Sequence, residues 1–203
     1  MLNLHVRPAL AKVVDPVARV LLRAGVGPDA ITVAGTLGAV TGALVFFPRG
    51  MFFTGTAIVF FSVLTDLLDG TMARMRGTSS RWGAFLDSTC DRIADAAIFS
   101  GLVLWYAGDG DSLLLCAVAA FCLAGGSIVS YAKARAEGLG LRCDVGLAER
   151  AERLILVLLG TFLVGLTAPE WVLAVALWLL AAATAVTVGQ RLAEVRRQAS
   201  LPA

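Results

Sequence analysis

The sequence predicts an all-α integral membrane protein, with six transmembrane helices preceded by an N-terminal amphipathic interfacial helix. Three observations predict it. First, 58% of the 203 residues are hydrophobic, against about 45–50% in soluble domains. A soluble fold of this length could not bury so much apolar surface, but a bilayer hides it. Second, the apolar residues fall into stretches near 29–48, 52–75, 82–107, 112–137, 150–167 and 169–196. Each is at or near the ~20 residues that cross ~30 Å of hydrocarbon. Third, the basic residues gather on alternate breaks between these stretches. The length suits one domain, 1–203, with the interfacial helix at 3–24 and the bundle at 29–197.

The elements follow in order. Leu4, Val6, Leu10, Val14, Val17 and Leu21 recur at helical spacing, with Arg7, Lys12, Arg19 and Arg23 between them. That pattern predicts a helix lying on the cytosolic leaflet. It lacks the continuous apolar core of a cleavable signal peptide. Gly25, Gly27 and Pro28 break it. The spans are then separated at Pro48-Arg49-Gly50, Gly77 to Arg81, Gly108 to Asp111, Gly138 to Gly146 and Ala168-Pro169-Glu170, the fifth span being the shortest. The breaks near 76–81 and 138–149 and both termini carry nearly all the Lys and Arg. The other side holds Arg49 with Asp109, Asp111 and Glu170. By the positive-inside rule both termini face the cytoplasm of a cell (inner or plasma) membrane.

Composition excludes several chemistries. A net charge of +2 gives no polybasic signal for nucleic acid. Cys90, Cys116, Cys122 and Cys143 form no C-x-x-C pair and read as small buried hydrophobes. The only histidine, His5, lies at the N-terminus without a second His nearby. Any metal must therefore be held by carboxylates, which favours Mg²⁺ or Mn²⁺ over Zn²⁺.

Those carboxylates are conspicuous. Asp66, Asp69, Asp87, Asp91 and Asp95 fall inside two adjacent spans, where ionisable residues are costly and mark function. Asp66 and Asp69 share one helix face by their spacing, as do Asp87 and Asp91. Counting ~1.5 Å per residue from the intervening loop, Asp66 lies level with Asp91, and Asp69 with Asp87. Four carboxylates so placed repel one another, and either take up protons or bind cations. One or two divalent ions would neutralise them and supply Lewis acidity for phosphoryl chemistry. Gly70 and Gly83 leave room for a phosphate or a neighbouring helix, and Arg74 can pair with a carboxylate or a phosphate.

The pattern D-x-x-D-G-x-x-A-R followed by G-x-x-x-D-x-x-x-D resembles the signature of the CDP-alcohol phosphotransferase family. Asp66, Asp69, Gly70, Ala73, Arg74, Gly83, Asp87 and Asp91 carry it, and six spans agree with that family. The resemblance implies an enzyme moving a phosphatidyl group from CDP-diacylglycerol to an alcohol. It implies that Asp66, Asp69, Asp87 and Asp91 ligate two Mg²⁺ or Mn²⁺ ions and that Asp91 is also the catalytic base. It implies CDP-lipid contacts from Asp69, Gly70, Ala73, Arg74 and Gly83, and a homodimer among membrane lipids. Pro28, Asp29 and Thr32 form a P-D-x-x-T pattern similar to the family's cytidine-contacting segment.

A basic group bears on the acceptor. Ser130 and Lys133 share a helical face before Arg135, and Arg150 shares one with Arg153. Arg191 sits in the last span at similar cytosolic depth, so several cations could converge on one oxyanion. The segments S-Y-x-K-A-R-A-E and G-L-x-x-R-x-x-R resemble those actinobacterial family members whose acceptor is inositol 1-phosphate. That resemblance implies that Ser130, Lys133, Arg135, Arg153 and Arg191 bind the acceptor's phosphate. Glycerol 3-phosphate is the alternative acceptor, since both carry a phosphate. A cation or proton transporter, which also needs intramembrane acids, is the alternative of a different class. The cytosolic depth of the acids and the absence of an inverted repeat weigh against it.

Overall fold

The computed structural model describes residues 14–77 and 80–200. Their regular structure is helical throughout. Residues 14–23 form α1, and residues 3–13 of the expected interfacial helix lie outside the described residues. α1 stops where Gly25 turns to a φ of +82 and Val26 N donates to Leu21 O at 3.0 Å. Such a glycine closure satisfies the last carbonyls of the helix. Pro28 then opens α2 at the first helical position, where its missing N–H costs nothing.

α2 runs Pro28–Thr41 and continues through a π-helical turn, Gly42–Phe46, and a 3-10 turn, Phe47–Arg49. The sequence pattern placed a single span at 29–48 here. Pro48 explains the difference, because it cannot donate to the carbonyl of residue 44 and the ladder re-registers around it. α3 is Phe52–Arg76, α4 Arg81–Ala107, α5 Leu113–Gly138, α6 Arg150–Gly165 and α7 Trp171–Ala199. These bounds fall within about three residues of the expected spans. Among the described residues four helical stretches are long and apolar enough to cross a bilayer: Pro28–Arg49, Phe52–Arg76, Leu113–Gly138 and Trp171–Ala199. α4 has the length, at 27 residues, but carries Arg81, Asp87, Asp91, Arg92 and Asp95. α6 has only 16 residues. Phe60, Phe61, Ile155, Trp178 and Leu179 are large, apolar and exposed, which suits side chains facing lipid rather than water. The chain is a multi-pass membrane protein.

The chain divides into two compact units. The first comprises Met1–Thr41 and Ile58–Ala94. In it α2 meets α3 through glycine: a Cβ on Gly35 would lie 2.0 Å from Thr65 Oγ1 and 3.0 Å from the Ser62 carbonyl oxygen. Such small-residue contacts let helix backbones approach in a membrane, where no hydrophobic effect drives them together. The second unit comprises Gly42–Ala57 and Asp95–Ala203. Phe47, Ile98, Leu102, Tyr106, Leu173, Leu177 and Leu180 are buried there. α5 packs on α7, where a Cβ on Gly125 would stand 2.6 Å from Thr184 Cγ2. Thr56 Oγ1 donates to Thr161 Oγ1 at 2.7 Å, joining α3 to α6 inside this unit.

Candidate active site

The carboxylate motif lies in the first unit. Asp66 and Asp69 are on α3, Asp87 and Asp91 on α4. Asp69 is buried, 7% exposed. The charges of Asp66, on its own helix, and Asp87, across the hairpin, both act on it. That agrees with the register counted from the loop, with Asp69 level with Asp87. Thr32 Oγ1 donates to Asp69 Oδ2 at 2.5 Å. A second acceptor, the Pro28 carbonyl at 3.3 Å, is the longer contact, so the hydroxyl proton belongs to the carboxylate. The P-D-x-x-T segment is thereby tied to the aspartate motif. Asp29 Oδ2 accepts from Trp82 Nε1 at 3.0 Å, tying the same segment to the start of α4.

The remaining motif residues fit around this frame. Arg74 Nη2 donates to Thr71 Oγ1 at 2.9 Å. A Cβ on Gly70 would stand 3.5 Å from Arg74 Nη1, so the guanidinium folds back over the glycine. Ala73 is half-buried on the same helix. Gly83 N donates to Ser80 Oγ at 2.9 Å, an N-cap bond that satisfies one of the orphan amides opening α4. Among the described residues no three acidic, histidine or cysteine side chains already stand at the mutual spacing of a metal cage. Asp66 and Asp87 lie within Coulomb range of Asp69, which reaches farther than a shared ligand shell. Their donor set is hard oxygen, with Thr32 orienting Asp69 from behind as outer-shell partners of metal ligands do. It fits Mg²⁺ or Mn²⁺.

The basic group lies in the second unit. Three of its five members reach the 139–149 loop between α5 and α6. Lys133 Nζ pairs with Asp144 Oδ1 at 2.7 Å. Arg191, 3% exposed, donates from Nε to the Val145 carbonyl at 2.9 Å, from Nη1 to the Val129 carbonyl at 2.5 Å and from Nη2 to Glu149 Oε1 at 3.3 Å. Arg153, 2% exposed, donates from Nη1 to the Ala148 carbonyl at 3.2 Å and from Nη2 to Asp95 Oδ2 at 3.0 Å. Gly126 makes room for that guanidinium, since a Cβ there would lie 3.2 Å from Nε. Ser130 Oγ donates back to the Gly126 carbonyl at 3.1 Å. Arg135 is exposed on α5 and no contact draws its side chain to this loop. Lys133 holds the Asp144 carboxyl below the usual carboxylate range, through a hydrogen bond and its charge.

Several residues escaped the sequence reading. Asp95 stood out as a fifth aspartate but received no role; it pairs with Arg153 and, at 3.5 Å, with Arg150 Nε. Its recurrence four residues after Asp91 was the available signal. Asp144 and Glu149 received no role, and nothing in their spacing to Lys133 or Arg191 marks them. Trp82 likewise received no role.

Comparison with known proteins agrees with this arrangement. The family model of the CDP-alcohol phosphatidyltransferases matches residues 26–189. A phosphatidylinositol phosphate synthase of Streptomyces avermitilis is 51% identical over 206 residues, covering 98% of this chain and 84% of the relative. One from Mycolicibacterium smegmatis is 49% identical over 195 residues, covering 95% and 88%. The crystal structure of the Mycobacterium tuberculosis phosphatidylinositol phosphate synthase with CDP-DAG bound superposes with a TM-score of 0.88 at 48% identity, covering 91% of this chain and 94% of that one. The same protein in complex with manganese and citrate gives 0.84 at 47% identity, covering 90% and 88%. With the aspartate motif unbroken inside the matched region, the chain belongs to the CDP-alcohol phosphatidyltransferase family.

Proposed function

We propose that the chain is an enzyme transferring the phosphatidyl group of CDP-diacylglycerol to inositol 1-phosphate, with release of CMP. The observation that carries this reading is near-full-length identity of about half to phosphatidylinositol phosphate synthases. Lys133, Arg153 and Arg191, gathered at one loop, support a phosphorylated acceptor. Glycerol 3-phosphate as acceptor has no observation in its favour beyond the shared phosphate, and membership of a transferase family removes the transporter reading.

The roles divide between two groups of residues. In the first, Asp66, Asp69, Asp87 and Asp91 hold divalent metal, read as two Mg²⁺ or Mn²⁺ ions per site. A relative's manganese-bound structure supports the metal class. When bound, divalent metal neutralises the pyrophosphate and makes CMP a better leaving group. Asp91 takes the proton of the acceptor hydroxyl, whose oxygen attacks the β-phosphorus. Thr32 fixes the Asp69 carboxylate. Pro28, Asp29, Gly70, Ala73, Arg74 and Gly83 contact the CDP moiety, and the contacts of Asp29 and Arg74 keep those side chains in place. In the second, Ser130, Lys133, Arg135, Arg153 and Arg191 take the acceptor's phosphate.

The surrounding architecture follows the sequence pattern. We read residues 29–197 as one catalytic domain with α4 and α6 completing six spans, and 3–24 as an interfacial helix. The exposure of Val17 and Val20 on α1 supports the last. The placement of Lys and Arg supports cytoplasmic termini and a cytoplasmic site in the cell membrane. The homodimer rests on the family resemblance alone.

Purified protein in detergent should release CMP from CDP-diacylglycerol only with acceptor and divalent metal present. Full turnover in excess EDTA after dialysis would remove the metal from the reaction. Thr32→Val keeps the shape of the side chain and deletes its donor. It is expected to raise the Mg²⁺ concentration for half-maximal activity by ~10–100-fold, as loss of outer-shell partners does, while Thr32→Ser stays near wild type. An unchanged metal requirement in Thr32→Val would detach Thr32 from the metal site.

A further inference from the structure

Two acids of the α5–α6 loop sit on two of the cations assigned to the acceptor's phosphate. Asp144 Oδ1 lies 2.7 Å from Lys133 Nζ, and Glu149 Oε1 lies 3.3 Å from Arg191 Nη2. The pairs share one electrostatic field, since Asp144 also feels the Arg191 charge and Lys133 that of Glu149.

Burial sorts the partners. Arg191 is fixed by the Val129 and Val145 carbonyls through its other nitrogens, so it stays in place when Glu149 leaves. The Asp144 and Glu149 side chains are 72% and 49% exposed. Lys133 and Asp144 form an exposed pair that separates at little cost, and the half-exposed Glu149 carboxylate returns to water while Arg191 keeps its two carbonyl partners. Charge completes the argument. The two carboxylates bring two negative charges, and a phosphate monoester brings about 1.5 to 2 near neutral pH. One phosphate can therefore replace both carboxylates and leave the cations balanced.

We propose that Asp144 and Glu149 are stand-in anions for the acceptor's phosphate, so that acceptor binding is an anion exchange at Lys133 and Arg191 that selects a phosphorylated alcohol over a neutral one. A neutral alcohol cannot balance the cations once the carboxylates swing away, so it meets a site that stays closed by its own acids. No covalent bond changes in this exchange. The proposal rests on the acceptor reading above and adds the two residues that set its specificity.

The test uses Asp144→Asn and Glu149→Gln, singly and together, in the full chain in detergent. The readouts are the Michaelis constants for inositol 1-phosphate and CDP-diacylglycerol, the inhibition constant of inorganic phosphate, and the melting temperature. The expected result is a fall of about three-fold in the inositol 1-phosphate constant for each variant, of the size exposed pairs carry, and a larger fall in the double variant. The inhibition constant of inorganic phosphate should fall in parallel, with the CDP-diacylglycerol constant unmoved. An acceptor constant that is unchanged or higher in folded variants overturns the proposal, as does failure of both single variants to fold, which would make the acids structural. Wild-type protein assayed alongside separates the two readings. If wild type does not use inositol 1-phosphate, the acceptor reading fails; if it does and the variants show no fall, only the exchange fails.

Discussion

Asp91→Asn is expected to lower kcat by at least ~10²-fold, the usual loss when a general base is removed, while the lipid substrate still binds. The substitution is nearly isosteric and lessens repulsion among the aspartates, so the protein should remain folded. The amide oxygen can still face a cation, but it cannot accept the hydroxyl proton at neutral pH. Turnover and melting temperature measured on the same preparation separate the chemical loss from unfolding. Near-normal turnover in the folded variant would remove Asp91 from the mechanism.

Arg153 should show the second large effect, in two parts. Its guanidinium is 2% exposed and bridges the Asp95 carboxylate and the Ala148 carbonyl. Arg153→Ala breaks a buried ion pair, and is expected to destabilise the protein by about 3 kcal/mol, the lower end for such breaks, because Arg150 still approaches Asp95 at 3.5 Å. Arg153→Lys keeps the charge but not the planar fork that reaches two acceptors at once. It is expected to raise the Michaelis constant for inositol 1-phosphate about ten-fold or more, the worth of one charge-assisted hydrogen bond. The constant for CDP-diacylglycerol should change little. If that constant alone rises, the basic group serves the nucleotide lipid instead.

The helices and the aspartate motif were legible because they rest on local regularities. Apolar runs of bilayer length, glycine and proline breaks and fixed i, i+3 and i, i+4 spacings all act within one helix or one hairpin. Hence α3 and α4 begin and end within about a residue of expectation, and Asp87 acts on Asp69 as the register requires. The π-helical turn at Gly42–Phe46 was less legible, because Pro48 acts on a carbonyl four residues back. Long-range pairing was not legible at all. Asp95 meets Arg153 across 58 positions and Arg191 meets Glu149 across 42. Such partners depend on how helices pack, which no periodicity encodes. The sequence pattern therefore singled out Lys133, Arg153 and Arg191 but not the acids that pair with them.

The acceptor alcohol is decided by direct comparison of candidates. Purified protein with CDP-diacylglycerol and Mg²⁺ would be given inositol 1-phosphate, free inositol or glycerol 3-phosphate, and CMP release scored for each. Rapid release is expected with inositol 1-phosphate and little with the other two. Preferred use of glycerol 3-phosphate, or of free inositol, would contradict the proposed function.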